Sequence, residues 1–474
     1  MNEKQISKMS RRRFLSAVPA VASVPLLGHG VANALPVGNG GADPVSSGSR
    51  VGAAALAMNG GEPVRATPLD TGCPGTQFYD DMEETGAAHA VESHSLFRWY
   101  GAPGYGNPRN VAEFEQAFAK VIGVKYVLGV TSGTGALHCA LTALGVGPGD
   151  EVILPAWTWY ACYNAILLTG ALPVFAETDD TFEIDPEDLE KKITPHTKAV
   201  MVVHLYGAPA NMDAIMDVAR RRNIKVLEDC AQCAGGKYKG KRVGSIGDIG
   251  AFSFQLHKTI TSGEGGAVVT NDPKLFERAV RFHDLGLLRP PTKAALGESS
   301  MPAGFTGTNY RMNEMVGAVM GAQLKKLDAI LDALRQRARG VRERVGGLPG
   351  IKMRPHNDPE GEVGVAVAMI MPDEKQRDIF VAAMKAENVV MSPPSAAVVL
   401  TVAPYIEQKV APHPAWPTFN SPRGKEIRYG AECCPRTLDL FQRTATLTIG
   451  PKYGPGELDD IVAAITKVHQ GLLA

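Results

Sequence analysis

The chain has 474 residues, of which 45% are hydrophobic and 21% are charged, as in an ordinary soluble globular protein. Lysine plus arginine and aspartate plus glutamate each number 49, so the charge balance gives no support to nucleic acid or a charged membrane surface as a partner. The length exceeds what a single hydrophobic core usually holds. It therefore predicts two domains once any processed segment is removed.

The N-terminus has the pattern of an export signal. The run SRRRFL at residues 10–15 resembles the bacterial twin-arginine (Tat) signal. Residues 17–31 are mildly apolar, but they are too short and too interrupted by proline for a membrane span. Small residues at 32–34 suit a signal peptidase. We therefore expect a Tat signal peptide at residues 1–34, no membrane span after processing, and a periplasmic or extracellular protein; the alternative is a disordered basic tail.

Residues 35–55 are rich in Gly, Ser and Pro without periodicity, which predicts a flexible linker. A large domain at residues 56–325 and a small C-terminal domain at residues 326–474 would follow. In the large domain short apolar runs alternate with helical segments, which predicts an α/β fold with a parallel sheet covered by helices on both faces. The predicted strands are residues 126–130, 150–154, 172–175, 199–204, 224–227 and 267–270, and the predicted helices are residues 80–91, 110–122, 136–144 and 212–221.

The small domain is predicted to mix helices and strands. A helix opens near residue 314, and a long charged helix from 323 to about 345 would connect the two domains. The remaining elements are strands near 364–370 and 446–449 and helices at 374–387 and 456–472.

The seven cysteines do not fit a disulfide framework, because their number is odd and they are scattered through apolar surroundings. Cys230 and Cys233 have the spacing of a redox or zinc motif, but no second pair of ligands at zinc spacing accompanies them. We expect both to be buried as small hydrophobic residues, and we expect no metal site.

Residues 224–270 carry the strongest functional pattern. The predicted buried strand at 224–227 leads into Glu228 and Asp229, and ligands of open α/β sheets bind beyond the carboxyl ends of such strands. Lys258 lies in a loop rich in hydroxyl side chains that ends at the glycine turn 263–266. This combination suggests pyridoxal 5'-phosphate (PLP), with Lys258 holding the aldehyde as a Schiff base and Asp229 keeping the pyridine nitrogen protonated.

These residues carry a resemblance to a known family. ED-x-A-Q at 228–232, F-S-F-x-x-x-K at 252–258 and the turn GEGG at 263–266 resemble the DegT/DnrJ/EryC1/StrS family of PLP-dependent sugar aminotransferases. The resemblance implies PLP-dependent transferase fold type I, with a mostly parallel mixed sheet flanked by helices in the large domain and a smaller α+β C-terminal domain. Residues 59–65 (NGGEPVR) and Gln255 resemble the branch that contains the scyllo-inosose aminotransferases.

The resemblance implies a role for each matching position. Gly133 and Thr134, at a turn that opens a helix, would bind the cofactor phosphate together with Ser253, although such a turn alone is also a common helix N-cap. Gln232 would bond the 3'-oxygen, and Asn309 would reach the phosphate of the neighbouring subunit, which implies a homodimer with shared active sites. Lys258 and Asp229 are the predicted catalytic residues, and the predicted cofactor-binding residues are Gly133, Thr134, Trp159, Asp229, Gln232, Ser253, Lys258 and Asn309.

Several neighbouring residues leave alternatives open. The family pattern stacks Trp159 on the cofactor ring, and Trp157 is the competing candidate. His204 is either a structural hydrogen-bonding residue or a residue at the cofactor edge. Gln255 either contacts substrate or holds the loop, and His257 either packs or tunes proton transfer.

The implied reaction is transamination. Lys258 would act as general base and acid while an amino group passes from glutamine or glutamate to the ketone of a sugar or cyclitol. One alternative is a PLP-dependent sugar dehydratase of the same family, in which histidine replaces the lysine. A second alternative is a non-catalytic binding or sensory protein on the same fold.

Overall fold

The structure is a computed structural model that describes residues 55–297, 299–301, 303–395 and 397–472. The predicted signal peptide at 1–34 and all but the last residue of the predicted linker lie outside the described residues. Of the helices in the described ranges, none is both long enough and apolar enough to cross a membrane.

A seven-stranded mixed sheet forms the centre of the fold. Its spatial order is β1-β7-β6-β5-β4-β2-β3; the pairs β1/β7 and β7/β6 are antiparallel and the other pairs are parallel. The predicted fold class, a mostly parallel sheet flanked by helices, is therefore confirmed. The strands are β1 (Tyr126–Val130), β2 (Glu151–Pro155), β3 (Leu172–Ala176), β4 (Thr197–Val203), β5 (Lys225–Asp229), β6 (Ile249–Ser253) and β7 (Gly266–Thr270).

Helices cover both faces of this sheet because its central strands are apolar on both sides. In β4, Met201 and Val203 belong to the buried cluster that contains residues of α3, α4 and α7, whereas Val200 and Val202 belong to the cluster that contains residues of α5 and α6. The helices are α1 (Asp81–Glu92), α2 (Asn110–Ile122), α3 (Gly133–Ala143), α4 (Tyr160–Leu168), α5 (Pro186–Lys192), α6 (Met212–Arg222), α7 (Pro273–His283), α8 (Glu314–Val345), α9 (Glu374–Ala386), α10 (Pro435–Arg443) and α11 (Pro455–Leu472).

A separate three-stranded antiparallel sheet lies in the C-terminal part of the chain. It consists of β8 (Lys352–Met353), β9 (Ala366–Ile370) and β10 (Thr444–Thr448), in that order. Helix α8 is continuous across residue 325, where the sequence predicts the domain boundary. The division into two domains stays a prediction.

Short elements connect the larger ones. Two-residue strands pair Trp157–Thr158 with Val398–Val399 and Lys237–Tyr238 with Lys241–Arg242. The short helices are Ala57–Asn59, Gly75–Phe78, Leu205–Gly207, Pro290–Leu296, Leu400–Val402, Pro404–Glu407, Pro417–Asn420, Pro422–Glu426 and Ala431–Cys433.

Candidate active site

Strand direction brings three loops to one edge of the large sheet. β1 and β6 are each antiparallel to β7, and β5 is parallel to β6, so β1, β5 and β6 run in the same direction. Their carboxyl ends therefore lie at one edge, where open α/β sheets bind ligands. This edge carries the turn 131–135 after β1, Asp229 at the end of β5, and the loop 254–265 that contains Lys258.

The carboxylate of Asp229 is buried and held from two sides. Its Oδ1 accepts a hydrogen bond from the backbone N–H of Ala231 at 2.9 Å, and its Oδ2 accepts one from the thiol of Cys162 at 3.1 Å. Burial raises the pKa of Asp229, and these hydrogen bonds and the positive charge of Lys258 oppose the rise. A cation beside this carboxylate would offset the cost of burying its negative charge. A protonated pyridine nitrogen would be such a cation.

The side-chain nitrogen of Lys258 makes no hydrogen bond or ion pair with any residue in the described part of the chain. Burial lowers the pKa of Lys258, while the negative charge of Asp229 acts in the opposite direction. Its loop is nevertheless fixed, because the backbone N–H of Lys258 donates to Gln255 O at 2.9 Å and that of Ser262 to Phe254 O at 3.1 Å. A partly desolvated amine on a fixed loop suits nucleophilic and base chemistry.

The turn after β1 presents a helix N-terminus to the same edge. Ser132 caps α3 by accepting the backbone N–H of Gly135 at 3.0 Å, and Thr134 is exposed. A Cβ on Gly133 would lie 2.6 Å from Cβ of Ser253, and a Cβ on Gly266 would lie 2.4 Å from the carbonyl oxygen of Ser132. Only glycine fits these two places, so the helix N-terminus sits against the end of β6 with backbone N–H groups available to an anion.

The two candidate tryptophans have different environments. Trp157 is completely buried, with its ring 4.5 Å from that of Phe182 and 5.3 Å from that of Phe441. Trp159 lies immediately before α4 and is 47% exposed. Trp157 therefore belongs to the core, and Trp159 remains the candidate for stacking on a ligand ring.

His204 belongs to a buried structural network. Its Nδ1 accepts the backbone N–H of Ala210 at 3.1 Å, so the proton is on Nε2, which donates to Glu228 at 3.1 Å. The Glu228 carboxylate also accepts the backbone N–H groups of Gly244 and Ile246. The atoms of His204, Glu228 and Cys230 that could ligate a metal lie within 4.8 Å of one another. The imidazole ring and the carboxylate already have hydrogen-bond partners, so these residues do not form a ready metal site.

Both cysteines of the redox-like spacing, Cys230 and Cys233, are free and buried, as predicted. Gln232 is partly buried, and its side-chain oxygen accepts the backbone N–H of Tyr206 at 3.0 Å. Gln255 holds the loop, because its side-chain oxygen accepts the backbone N–H of His257 at 2.9 Å; the His257 ring is exposed.

Asn309 is exposed beside the turn after β1. The following residues anchor it there: Tyr310 O accepts the backbone N–H of Thr131 at 3.0 Å, and Arg311 forms a bridge with Val130. Its own side-chain oxygen accepts the backbone N–H of Arg311 at 3.3 Å. The single chain thus places Asn309 next to the turn predicted to bind the phosphate, with its side chain exposed.

Sequence reasoning missed Cys162 and Thr158. Cys162 contacts Asp229 directly, and Thr158 Oγ1 lies 3.1 Å from the Cys162 sulfur. The only signal available was their position next to Trp159, since nothing in the local pattern indicates a contact between residues 67 positions apart.

The residues present fit PLP. The buried carboxylate of Asp229 could accept a ring N–H, the amine of Lys258 could hold the aldehyde, and the glycines at 133 and 266 leave the N-terminus of α3 available for a phosphate. The site and sheet together define a PLP-dependent enzyme.

Comparison with known proteins identifies the family. The model of the DegT/DnrJ/EryC1/StrS aminotransferase family matches residues 104–466, so the chain belongs to this PLP-dependent family. GDP-perosamine synthase of Escherichia coli O157:H7 is 44% identical over 239 residues, which are 50% of this chain and 64% of that protein. The L-glutamine:2-deoxy-scyllo-inosose aminotransferase of Micromonospora echinospora is 38% identical over 299 residues, 62% of this chain and 69% of that protein.

The matched region spans slightly less than two thirds of the GDP-perosamine synthases, between 64% and 66% of their length. Solved structures agree with the fold over more of the chain. The 3-amino-5-hydroxybenzoic acid synthase is similar with a TM-score of 0.71 and 28% identity, over 85% of this chain and 99% of its own. An aminotransferase from Psychrobacter cryohalolentis is similar with the same TM-score and identity, over 84% and 98%.

Proposed function

We propose that this protein is a PLP-dependent aminotransferase that moves an amino group from glutamine or glutamate to the ketone of a keto-sugar or cyclitol. The observation that carries the proposal is the convergence of Lys258 and Asp229 at the carboxyl edge of the sheet. Family membership and the relatives' names support the same reaction class.

The chain's own residues divide the work. The chemistry supplied by the bound cofactor is capture of the amine and uptake of the electron pair released at the substrate carbon. Asp229 holds a negative charge against the ring nitrogen and so favours that uptake. Lys258, with a pKa lowered by burial, would take the proton from the substrate carbon as a general base and would deliver it as a general acid to the cofactor carbon. Two half-reactions at one site imply ping-pong kinetics.

Two observations weigh against the alternatives. In the dehydratase alternative histidine takes the lysine's place, whereas here Lys258 occupies it and His257 points its ring at the side chain of Gln255. A purely binding or sensory protein would not need a partly desolvated lysine that interacts electrostatically with a buried carboxylate.

The direct test is to add glutamine to the PLP-loaded enzyme and follow the cofactor absorbance. Wild type should convert to the amine form of the cofactor, and borohydride reduction before the addition should fix the cofactor on Lys258. Lys258→Ala should keep the cofactor through its other contacts and lose turnover. His257→Ala is the matched control and should stay active. Turnover in Lys258→Ala, or loss of turnover in His257→Ala alone, would contradict the assignment.

The ketone that accepts the amino group is inferred from the relatives and from the sequence resemblance. The relatives' names point to both a nucleotide-linked sugar and a cyclitol, and residues 59–65 resemble the cyclitol branch. The identity of Gln255 suggests a cyclitol acceptor. Its side-chain oxygen already accepts a hydrogen bond within the loop, so this residue adds little support for a cyclitol. The test offers scyllo-inosose or a nucleotide 4-keto-6-deoxysugar to the amine-loaded enzyme. Return of the original absorbance with only the nucleotide sugar would overturn a cyclitol acceptor.

We also propose a homodimer in which Asn309 serves the neighbour's phosphate site, because its side chain is exposed in the single chain. Lys258→Ala and Asn309→Ala protomers should each be inactive and should regain activity when mixed, since one site of the mixed dimer is then intact. No recovery on mixing, with mixed dimers shown by mass, would place Asn309 in its own subunit's site.

Export by the Tat pathway is proposed from residues 10–15 alone. Replacing Arg11 and Arg12 together by Lys should keep the precursor in the cytoplasm, and exported protein should begin near residue 35. Unchanged export of the double variant would rule out this pathway.

A further inference from the structure

We propose that Cys162 is a positioning residue whose thiol orients the carboxylate of Asp229 toward the cofactor ring nitrogen. This inference deepens the proposed function and rests on it. The Cys162 sulfur lies 3.1 Å from Asp229 Oδ2, and both side chains are buried. The contact leaves the carboxylate little freedom, because Oδ1 is held at the same time by the backbone N–H of Ala231.

The direction of these hydrogen bonds follows from which groups carry a proton. Burial raises the pKa of Cys162 well above its usual range and the charge of Asp229 raises it further, so the group remains a thiol with one proton. That proton goes to the carboxylate. The hydroxyl of Thr158, 3.1 Å from the sulfur, must then donate to it. A relay of hydrogen bonds therefore runs from Thr158 through Cys162 to Asp229.

The relay is anchored at both ends. Cys162 lies in the first turn of α4, where its backbone N–H donates to Trp159 O at 3.1 Å. Thr158 is part of the two-residue strand that pairs with Val398–Val399. The sulfur is consequently fixed by backbone structure and not by its own rotamer preference alone.

The chemistry of a thiol suits this position. Each oxygen of Asp229 accepts one hydrogen bond, and a carboxylate oxygen can accept two, so each keeps a place for a ring N–H. A thiol is a weak donor. It therefore orients the carboxylate while leaving most of its negative charge for the ring, whereas a stronger hydroxyl donor would hold more of that charge.

The apoenzyme tests the contact without any activity. The difference between infrared spectra of wild type and Cys162→Ala isolates the S–H stretch of Cys162, and Asp229→Asn should move that band to higher frequency because an amide is a weaker acceptor. Cys139→Ala is the matched control: Cys139 is buried and makes no hydrogen bond through sulfur to any residue the structure describes, so its band should not respond to Asp229→Asn. A Cys162 band that Asp229→Asn leaves unmoved overturns the proposal.

The holoenzyme tests the consequence. The titratable groups near Asp229 are Cys162, Cys230, Lys258 and His204. Cys162→Ala removes one hydrogen-bond donor and so raises the pKa of Asp229. The acid limb of the pH profile of kcat/KM should therefore move to higher pH. The kcat should fall about tenfold, as the loss of a hydrogen bond to a charged group predicts. Cys162→Ser supplies a stronger donor and should return the limb to its wild-type pH or below it. An unmoved limb in Cys162→Ala, with only the melting temperature lowered, overturns a positioning role, whereas absence of aminotransfer in wild type would overturn the proposed function alone.

Discussion

Gly133 and Ser253 lie so close together that a side-chain carbon on Gly133 would be 2.6 Å from Cβ of Ser253. The contact joins the N-terminus of α3 to the end of β6, two segments predicted to share one phosphate. Cβ atoms essentially never approach other atoms within 3.0 Å, so any larger residue at position 133 must push the segments apart. Backbone N–H groups hold a phosphate only where the helix N-terminus is correctly placed.

Gly133→Ala should therefore weaken PLP binding by about 10- to 100-fold, since overpacking of this kind costs roughly 1–3 kcal/mol and ~1.4 kcal/mol is tenfold. Titration of the apoenzyme with PLP measures the affinity. Gly147→Ala is the control, because a Cβ at Gly147 meets nothing within 4 Å. Equal affinities for the two variants would refute the phosphate role of this turn.

Asp229→Asn should keep the fold and lose most of the rate. The change is nearly isosteric, and removing the cost of burying a charge offsets the loss of one of the two hydrogen bonds that the carboxylate accepts. The lost charge partner of the ring nitrogen should raise the barrier by several kcal/mol, and each ~1.4 kcal/mol is tenfold in kcat. Stopped-flow kinetics of the glutamine half-reaction measures the effect. Near-normal turnover would remove Asp229 from the mechanism.

Trp157 and Trp159 form a matched pair of probes. Trp157→Ala should lower the free energy of unfolding by about 3–5 kcal/mol, as loss of a buried aromatic ring does. Trp159→Ala should change stability little, because the ring is 47% exposed, and should weaken PLP binding instead. Urea unfolding and cofactor titration of both variants separate the two effects. Weaker PLP binding in Trp157→Ala than in Trp159→Ala would reverse the assignment.

Acid should destabilise the protein through His283. This imidazole is fully buried, its Nδ1 donates to the carbonyl of Val280, and burial, helped by Arg98, lowers its pKa from 6.5 to about 3. Between these pH values the unfolded state binds a proton that the folded state excludes, so stability falls as the pH drops through this window. At pH 5 the loss should approach ~2 kcal/mol, from about 1.4 kcal/mol per pKa unit.

Urea midpoints at pH 7 and pH 5 measure that loss. His283→Gln cannot take up the proton, so its midpoint should change less between the two pH values than that of wild type. His89→Gln, at an exposed site on α1, should behave like wild type. The explanation fails if the two variants respond to pH alike.

Sequence patterns predicted the elements whose apolar residues recur at a regular spacing. Helix α2 and strand β1 have the predicted bounds, because their apolar spacing reports burial directly. Strand β6 was not predicted. Its Gly250 disfavours a strand by propensity, and it is needed because a Cβ there would lie 2.8 Å from Cα of Gly244. That contact comes from the tertiary fold and is invisible in the local sequence.

Prediction of the site residues was limited in the same way by tertiary contacts. The residue pattern at 224–270 and the family resemblance both indicated Lys258 and Asp229, and the structure brings both to one edge of the sheet. The thiol of Cys162 could not be assigned in this way, because its role depends on a contact with a residue 67 positions away. Helix α10 was likewise not predicted, since its buried face contains only Thr437 and Leu440.

The pairing of Trp157–Thr158 with Val398–Val399 also sets the order in which the site can be completed during synthesis. The ribosome releases Asp229 and Lys258 long before it releases Val398–Val399. Until that short strand emerges, the segment that carries Trp159 and Cys162 lacks its hydrogen-bonded neighbour. A nascent chain that stops before residue 398 therefore contains every predicted catalytic residue and still lacks a finished binding site.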